Sequence, residues 1–368
     1  MGIYTFTSES VCSGHPDKIC DQISDRIVDA VLAKDPLGRV AVETLVTRNK
    51  IVLAGEVSSH TIPDYEKIVR ATIKGLGYID PFLQFTYLSP LEIYIQKQSP
   101  EIAIGVEEKG AGDQGMMFGF ACKDTKEYMP LPIILSHRFA QRIDKIRKDN
   151  TLSYLRPDGK TQVTISYKNN IPVKVNSVIV AVPHKETVLL DTVKNDIYTL
   201  VVKPVLAEYG FFISPNNLVV NGTGLWHIGG PSSDTGVTGR KIVVDTYGGF
   251  ARVGGGAFSG KDPTKVDRSG AYAARFIAKN IVAEGLSEKA EVRLAYFIGA
   301  KKPIMQDVET FGTSKTTNKI IRSYMAKIID TSVSGIIEKL HLREPIYAET
   351  ATYGHFGRNQ FPWEKIAL

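Results

Sequence analysis

The chain has 368 residues, of which 43% are hydrophobic and 23% charged. This length and balance predict a globular protein with a buried core and about two or three structural units, and they argue against disorder. Lys and Arg exceed Asp and Glu by six, a modest basic excess that does not by itself identify a partner.

The three cysteines are Cys12, Cys20 and Cys122, an odd number without metal-ligand spacing. Neither a disulfide framework nor a zinc site is therefore supported, and a reducing, cytoplasmic setting is predicted. The N-terminus has no basic leader, and no apolar run reaches the roughly 18 residues that a membrane-spanning helix needs. We expect a cytoplasmic protein that is neither secreted nor inserted into a membrane.

The N-terminal region alternates between strand-like and helix-like patterns. The predicted elements are a strand over 4–8, a helix over 17–33, paired strands over 40–47 and 51–58, a helix over 63–76 and a strand over 91–96. The first helix places Ile19, Ile23, Ile27 and Val31 four residues apart on one face. The stretch 99–115 then has four glycines and no clear period, which predicts a mobile loop of the size of an active-site lid.

Two further regions follow the loop. In the second, we predict a helix over 135–148, a turn over 156–160 and strands over 163–167 and 175–182. In the third, we predict a strand over 241–245 and a helix over 263–284 with Asp262 as its cap. The whole pattern indicates an α+β or α/β protein, with an N-terminal unit over 1–98, the loop over 99–115, a central unit over 116–231 and a C-terminal unit over 232–368.

The densest group of functional residue types lies between Gly254 and Asp267, in the sequence GGGAFSGKDPTKVD. Three glycines let backbone N–H groups approach an anion, and Lys261 and Lys265 add positive charge, so the stretch reads as a cradle for polyphosphate. A Walker A loop is disfavoured, because Asp262 stands where Ser or Thr should reach magnesium. The alternative is a glycine-rich turn with solvated lysines.

Neighbouring residues favour the cradle over the simple turn. Just upstream are Asp234, Arg240 and Lys241, and Asp267 follows Lys265 by two positions. Carboxylates and cations interleaved in this way suit a site for a magnesium-bound polyphosphate.

Near the start of the chain, the sequence SGHPDK puts His15 at the mouth of a predicted helix and Asp17 in its first turn. A helix N-terminus favours anions, but its dipole contributes only about 0.3–1 kcal/mol. His15 or Asp17 would therefore make the larger contact, by hydrogen bonding to a phosphate oxygen or by holding a metal ion. The alternative is that this segment only caps the helix.

Three motifs are similar to the hallmark motifs of S-adenosylmethionine synthetases: GHPDK at 14–18, GAGDQG at 110–115 and GGGAFSGKD at 254–262. Further matches are YLRPDGK at 154–160, TGRKIVVDTYGG at 238–249, and YGHFGR and FPWEK near the C-terminus, so the resemblance covers almost the whole chain. It implies an α+β fold of three similar units around a pseudo-threefold axis. It also implies a homodimer with shared active sites, and dimers that pair into tetramers.

The reaction implied by the resemblance is attack of the L-methionine sulfur on C5′ of ATP, followed by cleavage of the released triphosphate to pyrophosphate and phosphate. The residue types fit, because a thioether has no proton to lose and needs no general base. A kinase would use similar glycines, lysines and magnesium ligands, but would leave ADP. A nucleic-acid-binding protein should show a basic and aromatic stripe, which is absent.

The resemblance also implies roles for individual residues. Those carrying catalysis would be His15, Lys160, Arg240, Lys261 and Lys265. ATP would contact these five together with Asp158, Trp226, Asp234, Lys241 and Ala257. Methionine would contact Glu56, Gln98, Asp234 and Lys265. The metals would be two magnesium ions per site on Asp17 and Asp267 and a potassium ion on Glu43.

Some of these assignments have plain alternatives. Glu43 and Glu56 lie in strand-like segments and could simply face solvent, and Trp226 could be a core aromatic. Asp113 is a further, less specific candidate. The six histidines other than His15 lack mutual metal-ligand spacing and are assigned no chemistry.

Two features depart from the family pattern. The stretch 99–110 is shorter than the equivalent loop in many members, and Leu225 stands where many bacterial members have an arginine.

Overall fold

The computed structural model describes residues 2–97 and 110–367, so the predicted mobile loop is described only from Gly110 onward and Gln98 lies outside the described residues. The first region contains β1 (Ile3–Val11), α1 (Pro16–Leu32), β2 (Arg39–Thr47), β3 (Lys50–Ser58), α2 (Tyr65–Leu76) and β4 (Leu91–Gln96). Helix α2 begins after Asp64, whose side chain accepts the Lys67 N–H, and ends at Gly77 in the left-handed conformation.

The second and third regions continue the mixture of helices and strands. The second contains β5 (Gly115–Cys122), α3 (Leu131–Lys148), β6 (Lys160–Lys168), β7 (Ile171–Ala181), α4 (Leu190–Ile197), a π-helical turn (Tyr198–Val202), α5 (Lys203–Glu208) and β8 (Leu218–Val220). The third contains β9 (Gly236–Val237), α6 (Ile242–Asp245), α7 (Val266–Ala283), β10 (Lys289–Tyr296), β11 (Met305–Glu309), α8 (Asn318–Ile328) and α9 (Val333–Lys339).

The described strands form three sheets, each built on an antiparallel hairpin. Sheet 1 has the order β4-β3-β2-β9, sheet 2 the order β1-β6-β7-β8 and sheet 3 the order β11-β10-β5. In each sheet the first hairpin strand pairs antiparallel with a strand from another region of the chain. Thus β9 pairs with β2, β1 with β6 and β5 with β10.

Each region thus gives one strand to the sheet of another region, and this exchange of strands shows a structural repeat that the composition does not reveal. A strand, a helix and a hairpin follow one another as β1-α1-β2-β3, β5-α3-β6-β7 and β9-α7-β10-β11. Strand β1 joins the sheet of the second unit, β5 joins that of the third and β9 joins that of the first, so the exchange of strands is cyclic. The boundaries expected at residues 98, 116 and 231 stay a prediction, since every sheet takes one strand from another region.

The apolar core lies between these sheets and their helices. One cluster of buried residues joins the first and third regions with β5 and the start of α3, and includes Ile19, Ile23 and Ile27 of α1. A second cluster belongs to sheet 2 and its helices and includes Leu135 and Phe139 of α3. The predicted apolar face of α1 is thus buried.

Two local predictions in the third region are wrong. The segment predicted as a strand over 241–245 contains the one-turn helix α6, because the Asp245 N–H donates to the Lys241 carbonyl at 2.8 Å. Helix α7 begins at Val266 rather than near Pro263, and Lys265 is its N-cap. The carboxylate of Asp262 instead accepts the Thr264 N–H in the turn before the helix, at 2.9 Å.

No helix in the described ranges is long and apolar enough to cross a membrane.

Candidate active site

The N-terminus of α1 buries a neutral histidine. His15 is the N-cap, with Pro16 at the next position, and its Nδ1 atom accepts the Asp17 N–H at 3.2 Å. Burial, with Lys241 nearby, lowers the pKa of His15 to about 3, so the ring is uncharged at neutral pH. Because Nδ1 accepts a hydrogen bond, the ring proton lies on Nε2, a buried atom without a hydrogen-bond partner among the described residues.

Two glycines allow other segments to approach this helix end closely. A Cβ atom on Gly14 would lie 2.2 Å from the Pro157 carbonyl oxygen, and one on Gly236 would lie 2.2 Å from the Pro16 carbonyl carbon. Any side chain at either position would therefore push the segments apart. The motifs at 14–18 and 154–160 therefore meet at the start of α1, together with the segment at Gly236 that leads into the motif at 238–249.

Asp17 is buried beneath the basic residues of the third region. Its Oδ1 accepts the Val237 N–H at 3.0 Å and its Oδ2 accepts from the Lys241 ammonium. The Arg240 Nε atom lies 3.8 Å from Oδ1. Although burial raises the pKa of Asp17, the bonds from Lys241 and Val237 bring it below its ordinary value, so the carboxyl group is ionised.

The glycine-rich loop joins this cluster to a second carboxylate–lysine pair. Gly239 has φ +79°, and a Cβ there would lie 2.4 Å from Cβ of Ala257. A Cβ on Gly256 would lie 2.1 Å from Cγ of Asp267, whose Oδ2 accepts from Lys261 Nζ at 2.6 Å. The two predicted magnesium ligands, Asp17 and Asp267, therefore each hold a lysine on loops that touch.

Asp262 has a structural role that also explains why a Walker A geometry is absent. Its buried carboxylate accepts the Val40 N–H at 2.8 Å and pairs with the Lys265 ammonium. The Asp262 oxygens are thus taken by Val40, Thr264 and Lys265, and no hydroxyl stands at this position to reach magnesium as in a P-loop. Lys265 is 13% exposed and is partly committed to this pair.

The predicted adenosine contacts Asp158 and Trp226 meet at Gly229. Asp158 is buried and accepts the Gly230 N–H at 2.8 Å, and burial raises its pKa to about 6. Trp226 is partly buried and donates its indole N–H to the Ile228 carbonyl at 2.9 Å. A Cβ on Gly229 would lie about equally close to both, 3.0 Å from Asp158 Cβ and 3.2 Å from Trp226 Cζ2. Leu225 is 68% exposed beside them.

Lys160 begins β6 opposite Val11 of β1, and its side chain is exposed. Its positive charge lowers the pKa of both His15 and Asp158, so Lys160 lies near both groups.

Glu56, a predicted methionine contact, and Glu43, the predicted potassium ligand, lie on the face of sheet 1 that α1 does not cover. We call this the open face and define it by Glu43, Ala54, Glu56, Tyr94 and Gln96, which are cross-strand neighbours. The Gln96 amide donates to Glu56 Oε1 at 3.3 Å. Partial desolvation and the Glu56 charge raise the pKa of Glu43, while Lys261 and Lys265 oppose the rise.

Asp234 is exposed in the loop before β9, and Asp113 is partly exposed, with Oδ1 accepting the Gln114 N–H at 2.7 Å. Neither is brought into a polar contact with Asp17 or Asp267 within the described ranges. Gln98 cannot be placed, since it lies outside those ranges.

The residues present fit magnesium ions that also bind substrate phosphate. Within residues 2–97 and 110–367, no group of three or more His, Cys, Asp or Glu side chains could hold a metal alone. Magnesium is commonly bound by one or two carboxylates together with phosphate oxygens and water. Asp17 and Asp267 each supply one ionisable carboxylate, and each already holds a lysine ammonium as its cation.

Sequence reasoning missed a row of aspartates behind the site. Asp17, Asp21, Asp25 and Asp29 follow one another at four-residue spacing along α1, and the first three are buried. The spacing was visible in the sequence, but such a row is ordinarily the solvated face of a helix.

Comparison with known proteins agrees with this arrangement. Profiles for S-adenosylmethionine synthetase match the chain as the N-terminal domain over residues 3–100, the central domain over 108–226 and the C-terminal domain over 228–365. An S-adenosylmethionine synthase of Clostridium tetani (strain Massachusetts / E88) is 49% identical, in an alignment covering 98% of this chain and 96% of the relative. These matches confirm the predicted three-unit α+β fold and the predicted methionine adenosyltransferase, a transferase that makes S-adenosylmethionine. The chain belongs to the S-adenosylmethionine synthetase family.

Proposed function

We propose that the enzyme joins L-methionine to ATP by attack of the sulfur on C5′, and then cleaves the released triphosphate to pyrophosphate and phosphate. The observation that carries this proposal is the pair of linked carboxylate–lysine contacts, Asp17 with Lys241 and Asp267 with Lys261, beside a buried neutral His15. Such a group suits a polyphosphate that leaves as a unit.

The chemical step needs positioning and charge stabilisation more than proton transfer. A sulfur lone pair forms the new S–C5′ bond, the C5′–O bond breaks, and its electron pair leaves with the triphosphate. Since the thioether loses no proton, no general base is required. Correct alignment of the two substrates can supply about 7–11 kcal/mol of the barrier reduction.

His15 suits the oxygen that leaves C5′. Its ring is neutral and its buried Nε2–H has no partner among the described residues. A hydrogen bond from Nε2–H would stabilise the charge that builds on that oxygen as the bond breaks. Without such an acceptor, a buried donor costs free energy.

The phosphate contacts are proposed for five cations, namely Lys160, Arg240, Lys241, Lys261 and Lys265. Two magnesium ions held by Asp17 and Asp267 would neutralise the triphosphate and polarise its oxygens. Lys241 and Lys261 now pair with those carboxylates and would turn to phosphate oxygens when the ions bind. A metal requirement is consistent with the family, and the identity and number of the ions are our proposal.

The remaining assignments concern the two organic groups. Asp158 and Trp226 would bound the adenosine portion, and Ala257 would line the pocket beside the phosphates. Methionine would be bound by Glu56, Gln98, Asp234 and Lys265, with the Asp234 carboxylate favouring the sulfonium cation that forms. A potassium ion would bind Glu43, whose raised pKa reflects partial desolvation and then the nearby Glu56 carboxylate.

The proposal includes a homodimer with shared active sites, and pairing of dimers into tetramers in the cytoplasm. It is supported by the open face, where Glu43 and Glu56 lie beside the exposed apolar residues Ala54 and Tyr94. A second copy placed on this face would enclose residues that in one chain face solvent.

The function is tested by analysing the products formed from ATP and L-methionine in the presence of magnesium and potassium. S-adenosylmethionine, pyrophosphate and phosphate are expected in equal amounts, and added tripolyphosphate should be hydrolysed by the same preparation. ADP formed in step with a phosphorylated product would instead identify a kinase.

A further inference from the structure

The aspartates in the row along α1 accept hydrogen bonds from backbone N–H groups of the third region of the chain. Asp17 accepts from Val237, Asp21 from Gly239 and Asp25 from Gly260, at 3.0, 2.8 and 2.9 Å. Asp29 accepts from Tyr347 and Ala348 at 2.8 and 2.7 Å. One helix face thus anchors several separate segments, and each buried carboxylate is satisfied by N–H donors.

Asp21 holds the segment that carries two proposed phosphate contacts. Gly239, whose N–H it accepts, directly precedes Arg240 and Lys241. The other oxygen of Asp21 pairs with Lys18 Nζ at 2.9 Å. Asp21 is fully buried, so it cannot contact substrate, and it acts on Lys241 only through the backbone.

Asp25 holds the neighbouring loop together with Arg268. Both Asp25 oxygens accept from the Arg268 guanidinium, each at 2.7 Å. Arg268 also donates to the Lys261 carbonyl at 2.9 Å, while Asp25 accepts the Gly260 N–H. This buried pair therefore grips the backbone on both sides of the Gly260–Lys261 peptide bond.

We propose that Asp21 and Asp25 are positioning residues for the reaction, because they fix the two loops on which Lys241 and Lys261 reach the triphosphate. The inference rests on the proposed phosphate roles of those lysines. A displacement of about 1 Å at a reacting group can cost about 100-fold in rate, so the anchors matter without touching substrate.

Asp21 gives the cleaner test, because loss of Asp25 would leave the buried Arg268 charge unpaired. Lys18 keeps its second partner, Asp245, when Asp21 is removed. In the purified full-length enzyme with magnesium and potassium, Asp21→Ala should lower kcat about 100-fold and Asp21→Asn about tenfold. The amide oxygen of asparagine still accepts the Gly239 N–H, which explains the partial rescue.

Asp29→Ala is the matched control, since it removes an aspartate of the same row that anchors residues outside the phosphate loops. Its kcat should stay within about twofold of wild type, although its melting temperature should fall as much as that of Asp21→Ala. The KM for methionine should be unchanged in both Asp21 variants. The KM for ATP should rise, and the hydrolysis of added tripolyphosphate should slow in the same variants.

The inference is overturned if Asp21→Ala loses stability but keeps wild-type kcat, or if asparagine rescues nothing relative to alanine. If Asp21→Ala does not fold, a folded Asp21→Asn with wild-type kcat overturns it equally. Failure of the proposed function is a separate result, because the wild-type enzyme itself would then make no S-adenosylmethionine.

Discussion

At the scale of single residues, the proposed phosphate lysines differ in what else they do. Lys160 is exposed and makes no ion pair among those found in the described residues, whereas Lys265 pairs with the buried Asp262. Lys160→Ala should therefore lower kcat about 100-fold, the scale of losing one preorganised charge, while leaving the melting temperature unchanged. Steady-state kinetics and thermal unfolding on the same preparation test this.

Lys174 provides the matched control, since it is an exposed lysine on the neighbouring strand of sheet 2. Lys174→Ala should change neither activity nor melting temperature. If Lys160→Ala behaved like Lys174→Ala, Lys160 would have no role in the reaction.

For Lys265→Ala we expect losses of both activity and stability, because the buried Asp262 carboxylate loses its ion-pair partner. Breaking such a pair costs about 3 kcal/mol of unfolding free energy. Chemical denaturation would measure that loss, and an unchanged unfolding free energy would show that Asp262 does not depend on Lys265.

Asp29 makes the stability of the fold depend on pH. Burial raises its pKa in the native state to about 6, above the ordinary value of 3.8, although the two N–H donors oppose the rise. The unfolded chain therefore releases this proton first as the pH rises. Stability contributed by Asp29 is full below about pH 4 and is lost toward pH 6, by up to about 1.4 kcal/mol per pH unit.

The measurement is the unfolding free energy of wild type and Asp29→Asn between pH 4 and pH 7. As the pH rises, the unfolding free energy of the wild type should fall relative to that of Asp29→Asn. A difference that is constant, or that moves in favour of the wild type, would contradict the assigned pKa.

At the scale of elements, the glycine-rich loop offers two adjacent positions with opposite expectations. A Cβ on Gly256 would strike the Asp267 carboxylate, whereas a Cβ on Gly255 meets nothing within 4 Å. Gly256→Ala should displace Asp267 from Lys261, lower kcat about 100-fold and raise the magnesium concentration needed for half-maximal activity. Gly255→Ala should resemble wild type in a magnesium titration, and equal effects of the two changes would contradict this loop geometry.

Periodicity predicted α1 and the hairpin β2–β3 well, because one face of each is apolar and buried. The aspartate row on α1 was missed because its burial depends on segments more than 200 positions away, such as Gly239 and Gly260. The prediction of a strand over 241–245 was wrong for a related reason. Its apolar residues suit either structure, and a tertiary contact between Asp245 and Lys18 accompanies the helical turn.

At the scale of the whole molecule, the sequence motifs identified the family, but the cyclic exchange of strands was visible only in the structure. The three strand–helix–hairpin units share geometry rather than residues, so no repeat appears in the sequence. The exchange has a functional consequence. It brings β9, and with it the Arg240–Lys241 segment, against β2 of the first region, where α1 presents Asp17.

The open face of sheet 1 makes the proposed dimer testable. Tyr94 is 62% exposed there, and Phe212 is 88% exposed elsewhere on the chain. Tyr94→Asp should lower the mass measured by light scattering toward that of one 40.5 kDa chain and reduce activity with it. Phe212→Asp should keep the wild-type mass. An unchanged mass for Tyr94→Asp would show that the subunit interface lies on another surface.

In the proposed reaction the bond between C5′ and its oxygen breaks, and an isotope label reports on that bond directly. ATP carrying ¹⁸O between C5′ and the α-phosphorus would be turned over with methionine, and the products analysed by mass spectrometry. All the label is expected to leave in pyrophosphate and phosphate, and none is expected to stay with the adenosyl group. Label retained in ADP or AMP would show that the C5′–O bond stays intact and that the phosphate chain is cleaved instead, while label in adenosine would show cleavage between that oxygen and the α-phosphorus. Either result would contradict the proposed reaction.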